Sequence, residues 1–105
     1  MVNRGEVWLV LPESAGGGPA EPHPCVILSP PEIHDHLGLV TVAPFTLAGK
    51  PAGYRVPLEI DAQRGMIRLE QIRTINKRAL TRQVGTVDRK TLSAALATLR
   101  DMFAD

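Results

Sequence analysis

Residues 39–45, Leu39-Val40-Thr41-Val42-Ala43-Pro44-Phe45, set a threonine between apolar neighbours and end beside a proline. That alternation is the period of a strand, and a proline is tolerated at a strand's margin. Towards the N-terminus, residues 6–11 (EVWLVL) and 24–29 (PCVILS) read as two further strands. Towards the C-terminus, residues 54–60 and 66–71 read as two more. They are joined by Asp61-Ala62-Gln63-Arg64-Gly65, a turn in which the glycine is expected to supply positive φ. Nine glycines and nine prolines punctuate these short apolar runs, which argues for a small sheet or barrel over a helical bundle. From Asp88 onward the period changes. Leu92, Leu96, Leu99 and Phe103 mark one stripe of an amphipathic helix, with Asp88 as its N-cap. Residues 78–82 read as a shorter helical turn. The fold expected is mainly β, a small, strongly twisted, five-stranded antiparallel barrel with a C-terminal helix.

With 105 residues, the chain fits one domain, 1–105, whose small core makes a homodimer plausible. The longest apolar runs fall far short of the roughly 20 residues a spanning helix needs, so no membrane is expected. The start carries no hydrophobic signal segment, and the cytoplasm is the expected compartment. One cysteine, Cys25, excludes an internal disulfide and a thiolate metal cage. No metal or cofactor is expected: His34-Asp35-His36 matches no recognised ligand spacing, and no phosphate loop or nucleophile elbow is present.

Net charge is only +1, but it is unevenly placed. Residues 1–63 carry three basic and seven acidic side chains, whereas 64–90 carry eight basic and two acidic. Such a block is either a phosphate-contacting surface or a solvated face. Residues 14–24 (SAGGGPAEPHP) cannot pack a core and are expected as a long surface loop, either a binding loop or a tolerated insertion.

Chemistry concentrates at Gly65-Met66-Ile67-Arg68-Leu69-Glu70-Gln71. As a strand, it turns Arg68 and Glu70 to one face about 6.6–7 Å apart, a gap that brackets a phosphodiester. A carboxylate base, a cation and an acid are what metal-free RNA cleavage requires. A surface ion pair is the plainer account. Thr46 either donates to a phosphate oxygen or simply ends a strand. His23, between two prolines, is of a type suited to proton transfer near neutrality, unless it is an exposed histidine without a role. Trp8 reads as core in preference to a base-stacking platform.

Four blocks in order carry a resemblance. They are Arg4-Gly5-Glu6-Val7-Trp8, then Pro24-Cys25-Val26-Ile27-Leu28-Ser29, then Val42-Ala43-Pro44-Phe45-Thr46, then Leu69-Glu70-Gln71-Ile72-Arg73-Thr74-Ile75 with Arg78 beyond. Together, over essentially the whole chain, they resemble the MazF/PemK (Kid) mRNA interferase toxins of type II toxin–antitoxin systems. The resemblance implies a CcdB/PemK-type, SH3-like barrel working as a homodimer. It also implies a growth-inhibiting endoribonuclease that cuts single-stranded mRNA at short sequences without a metal. A cognate antitoxin, expected to offer an acidic, partly disordered segment, would neutralise it and bind DNA with it.

The Kid-type Arg-x-Asp-Gln motif falls on Arg68, Glu70 and Gln71, with the carboxylate one methylene longer. This implies Arg68 as acid and phosphate stabiliser and Glu70 as base. Thr46 and His23 would hold the phosphate, with Glu6 and Gln71 as RNA-side supports and Arg73 as a mainly structural residue whose RNA contact is the minor role. His23 stands where MazF-type members carry an arginine, so it either replaces that arginine as proton donor or phosphate ligand, or leaves the site to Arg68 and Glu70. Two alternatives remain beside this reading: a CcdB-like gyrase-inhibiting toxin, and a catalytically weak barrel that binds RNA or antitoxin without cutting.

Overall fold

The computed structural model describes residues 2–12, 21–47 and 50–105. Among them the chain runs β1 (Glu6–Val10), β2 (His23–Ile27), α1 (Pro31–Leu37), β3 (Leu39–Thr46), β4 (Arg55–Ile60) and β5 (Gln63–Arg68). Then follow β6 (Arg73–Asn76), β7 (Leu80–Thr86) and α2 (Arg89–Met102). Every strand pair is antiparallel, in the order β4-β5-β3-β2-β1-β7, and β6 adds to β3. The expected class is therefore found: a mainly β chain whose curled antiparallel sheet carries a C-terminal helix. Most of the expected loop at 14–24 lies outside the described residues, but its last two, His23 and Pro24, already belong to β2.

β3 organises the sheet. Its first half pairs with β6 (Leu39–Val42), and its end pairs with β5 (Phe45 and Thr46). Pro44 falls between those two stretches, not at the strand's margin. The central strands bury both faces. Val7, Val26, Ala43, Phe45, Ile67 and Leu69 pack with Ala95 of α2 in one cluster, while Val10, Cys25, Ile27, Val40, Val42 and Ile75 form a second. Consecutive residues of β2 thus serve different clusters, which is why its sequence is an unbroken apolar run. A fully buried Ile27 or Ile67 contributes about 1.5–3 kcal/mol each.

Asp88 caps α2 as expected, its Oδ1 accepting from the Thr91 amide at 2.6 Å. The apolar stripe is narrower than the period implies. Ala95 is the fully buried residue, Leu92 and Leu99 pack against the first cluster, and Phe103 is 73% exposed beyond the last turn.

The structure corrects four local expectations. Positive φ falls on Asp61 (50°) and Ala62 (64°), not on Gly65. This makes a two-residue turn, and Gly65 lies inside β5, where a Cβ would overlap the Thr46 carbonyl oxygen and stand 2.7 Å from the Phe45 ring. The strand expected through Gln71 stops at Arg68. Residues Leu69–Gln71 turn into a 3-10 helix, with Leu69 fully buried and its amide donating to the Tyr54 carbonyl at 3.3 Å. The helical turn expected at 78–82 is a 3-10 helix at Lys77–Ala79, after which the chain is strand. Two strands, β6 and β7, and the helix α1 raise the element count beyond the expected five strands and one helix.

α1 explains His34. The ring is 2% exposed, its Nδ1 lies 3.2 Å from the Val2 carbonyl and its Nε2 2.6 Å from Ser29 Oγ. A carbonyl only accepts, so Nδ1 carries the proton, and Ser29, which accepts from the Thr41 amide at 2.9 Å, donates its hydroxyl to Nε2. His34 therefore ties the start of β1's approach, the end of β2 and β3 together. His34→Ala, which orphans the serine and carbonyl and leaves a cavity, is expected to lower the unfolding free energy by about 2–4 kcal/mol in urea melts.

Candidate functional site

The β2–β3 register opposes Cys25 to Pro44, and continuing it sets His23 beside Thr46. The β3–β6 register opposes Val42 to Arg73, placing Arg73 next along the same face. The outcome is a concavity of about 450 Å³ lined by His23, Pro44, Phe45, Thr46, Gln71 and Arg73. Sequence positions as far apart as 23 and 73 are joined here because β3 is the common neighbour of β2, β5 and β6.

Arg68, the last residue of β5, reaches this site through Thr46: its Nε donates to Thr46 Oγ1 at 2.9 Å. Thr46 stands at the end of β3, inside the strand and half-buried. Because the chain leaves strand geometry at Leu69, Glu70 is not the same-face neighbour of Arg68 that a continuous strand would give. Its carboxylate pairs with Arg55 instead. Oε2 accepts from Arg55 Nε at 3.0 Å and from Nη2 at 2.7 Å. Arg55 is further anchored by Nη1 donating to the Lys50 carbonyl at 2.9 Å and by its cation lying 5.5 Å from the Tyr54 ring centroid.

The hydrogen-bonding Arg55 guanidinium holds the Glu70 carboxyl below its ordinary value of 4.5, and the charge of Arg68 acts in the same direction. A lowered folded value means the pair stabilises the fold above that ordinary value and stops doing so as pH falls through the folded one.

Of the residues singled out from sequence, His23, Thr46, Gln71 and Arg73 share the concavity, Arg68 is bonded to it through Thr46, and Glu70, next in the chain to Gln71, has its carboxylate on Arg55. Glu6 is elsewhere. It begins β1, whose other end, Val10, opposes His23, so it lies about 13 Å further along the strand. Its carboxylate accepts from the Asn3 amide and from Trp8 Nε1, both at 3.0 Å. Trp8 packs half-buried against the second cluster, as a core residue does. Cys25 is fully buried, and burial pushes its thiol up to about 11 despite the neighbouring Arg73, so it is an inert structural thiol. No three His, Cys, Asp or Glu residues among those described gather in a ligand set.

The basic block does not form one face. Apart from Arg68 and Arg73, Arg64 faces Asp88, Lys77 and Arg78 line a recess with Leu37 and Leu39, and Arg82 lines one with Leu9 and Ile60. A concavity of about 480 Å³ lies between the β4–β5 hairpin and the start of α2. Its charges are already engaged: Arg64 with Glu59 at 3.7 Å, and Asp88 as the helix cap. Arg55 is the site-side residue that sequence reading missed. A two-residue turn at Asp61-Ala62 was the signal, because it sets Arg55 opposite Arg68.

No helix of the described residues is long and apolar enough to cross a membrane. No protein of curated function matches the chain in sequence. Solved structures do share its fold. The Mycobacterium tuberculosis toxin MazF-mt6 superposes with a TM-score of 0.77 at 22% identity, covering 93% of this chain and 95% of that one. A mycobacterial endoribonuclease in complex with its cognate antitoxin gives 0.80 at 20% identity, covering 96% and 93%. MazF from Deinococcus radiodurans gives 0.78 at 22% identity, covering 96% and 94%. The family model described as PemK-like, MazF-like toxin of type II toxin-antitoxin system matches residues 3–103. With that match spanning nearly the whole length, and the sheet and helix arranged as in those toxins, the chain belongs to the PemK-like, MazF-like toxin family.

Proposed function

We propose that the chain is a toxin endoribonuclease that cleaves single-stranded mRNA at short sequences, acts as a homodimer and is neutralised by a cognate antitoxin. The observation that carries this is the Arg68–Thr46 hydrogen bond of 2.9 Å at a concavity also lined by His23 and Arg73. The Arg73 guanidinium, the Thr46 hydroxyl and the His23 imidazole line one recess, and the Arg68 guanidinium is bonded to it through Thr46, a set suited to holding a phosphodiester. The family match and the neighbours solved as endoribonuclease and antitoxin complexes support the same reading.

In the proposed reaction, Glu70 takes the proton of the ribose 2′-OH and the 2′ oxygen attacks the adjacent phosphorus. The bond from phosphorus to the 5′ oxygen breaks, giving a 2′,3′-cyclic phosphate. His23, in its protonated form, supplies the proton that completes the 5′-OH. Arg68 and Arg73 stabilise the charge growing on the non-bridging oxygens, the contribution expected to be largest in such chemistry. Thr46 and Gln71 orient the phosphate and the flanking nucleotide. This assignment moves the acid role from Arg68 to His23, because an arginine does not release its proton in proteins whereas an imidazole does.

Side chains supply every proton transfer, so no metal is required. Unpaired RNA is the substrate because its bases are open to a recess of this size. The test is a digest of a long single-stranded RNA in EDTA by purified protein, with the fragment ends mapped. Discrete fragments ending in cyclic phosphate and 5′-OH are expected. Intact RNA after incubation with well-folded protein would overturn the proposal and leave a gyrase-directed or binding-only toxin.

A further inference from the structure

We infer that Tyr54 is an RNA-binding residue whose ring is the stacking platform for an unpaired base on the 5′ side of the cut. The inference rests on the RNA-cleaving proposal and adds to it the side on which a neighbouring base is held. The chain has one Trp, one Tyr and two Phe. Trp8 packs half-buried against the second cluster, Phe45 is 6% exposed, and Phe103 lies beyond the end of α2. Tyr54 alone of the four is both exposed, at 42%, and one side chain away from Glu70.

The backbone fixes where the ring stands. The Tyr54 carbonyl accepts from the Leu69 amide at 3.3 Å, which ties it to the residue between Arg68 and Glu70. The Arg55 amide donates to the Ala52 carbonyl at 3.1 Å and closes the turn that carries the tyrosine. Arg55 then backs the ring. Its guanidinium carbon lies 5.5 Å over the ring centroid, its Nη2 reaches Glu70 Oε2 at 2.7 Å, and its Nη1 donates to the Lys50 carbonyl at 2.9 Å. With the cation over one face, a base would stack on the other. Glu70 is the group proposed to take the 2′-OH proton, and the nucleotide bearing that hydroxyl lies on the 5′ side of the cut. The base nearest the ring is therefore on that side too.

An unpaired base offers a flat π-face, and a tyrosine, with two side-chain torsions, loses little conformational freedom in meeting it. Stacking of this kind accepts every base, so Tyr54 supplies affinity and leaves sequence choice to other contacts.

The test compares the full native chain with Tyr54→Ala, Tyr54→Leu, Tyr54→Phe and Tyr54→Trp, each checked for folding by far-ultraviolet circular dichroism. The first readout is single-turnover cleavage of an oligoribonucleotide that contains a mapped cut. Tyr54→Ala and Tyr54→Leu are each expected to raise the half-saturating concentration about tenfold and to leave the maximal rate within about twofold. Tyr54→Phe and Tyr54→Trp keep a flat ring and are expected to stay within about twofold of native in both. Leucine fills space without a flat face, so it separates stacking from apolar packing. The second readout uses the same oligoribonucleotide methylated at the cut-site 2′-OH, with the fluorescent base 2-aminopurine at successive positions. Binding is expected to quench it on the 5′ side with the native and Tyr54→Phe proteins and not with Tyr54→Ala.

Native-like binding by Tyr54→Ala, rescue by leucine, a loss confined to the maximal rate, or quenching only on the 3′ side would overturn the inference and leave the cleavage proposal standing. Failure of the native protein to bind single-stranded RNA would remove both. RNA bound but left uncut would remove the cleavage proposal alone, and the affinities of Tyr54→Ala and Tyr54→Phe would still decide whether the ring stacks.

Discussion

Glu70→Gln is expected to remove cleavage while leaving the chain folded. A positioned general base contributes about 10²–10⁴-fold to the rate, and the amide that replaces it takes no proton at the pH of the assay. The substitution is nearly isosteric, and the glutamine oxygen still accepts from Arg55, so the 3-10 turn at Leu69–Gln71, anchored by fully buried Leu69, has no reason to move. The measurement is single-turnover cleavage of a defined oligoribonucleotide, paired with far-ultraviolet circular dichroism and a urea melt. Full activity in a folded variant would strip Glu70 of the base role and transfer it to His23, the other proton-transfer group placed at the recess. The depressed carboxyl value has its own consequence: Glu70 stays ionised well into acid, so loss of cleavage as pH falls towards neutrality cannot be its titration.

A loss of stability as large as that of His34→Ala is expected from a residue without a side chain. Gly65→Ala places a methyl group onto the Thr46 carbonyl oxygen and 2.7 Å from the Phe45 ring. The first obstacle is backbone, and the second is a ring fixed in the main core cluster at 6% exposure. Neither yields as a flexible side chain does, so the β5–β3 pairing must open. The expected loss is about 2–4 kcal/mol, read as a lower urea midpoint. Because Thr46 is the residue displaced, RNA affinity is expected to fall in parallel. Unchanged stability would mean that β5 can slide off β3 at no cost, contrary to the packing described.

What the sequence showed and what it hid divide along burial. β1, β2 and β3 announce themselves because they bury one or both faces, and α2 because Asp88 and the leucine spacing mark its start and its inner side. β7 is mostly exposed, with only Leu80, Val84 and Gly85 partly shielded, so no apolar period distinguishes it from a loop. α1 begins at a proline pair and turns inward through a histidine, which hydrophobic periodicity does not detect. At the site, Thr46 and His23 were candidates from their own chemistry, whereas Gln71 and Arg73 were named through their match to a family pattern, and nothing local shows that β2, β3 and β6 bring the four to one recess. Glu6 was named in the same way, but it lies at the far end of β1. Arg55 was hidden by the turn. A five-residue connection through Gly65 pairs the hairpin in another register, and only the two-residue turn makes Arg55 and Arg68 neighbours.

That turn has a reach beyond its own two residues. Asp61 and Ala62 lie about 20 Å of strand away from Arg55, and they touch neither His23 nor Thr46 in the recess. Yet the number of residues at the hairpin tip decides which side chains of β4 and β5 share a rung, and a change of one turns the side chains of the slipped strand to the opposite face of the sheet. Residues at the tip can be exchanged for others that tolerate positive φ with little consequence, but a single insertion or deletion there rewires the electrostatics of the distant site. For this hairpin, length constrains the site more tightly than composition does.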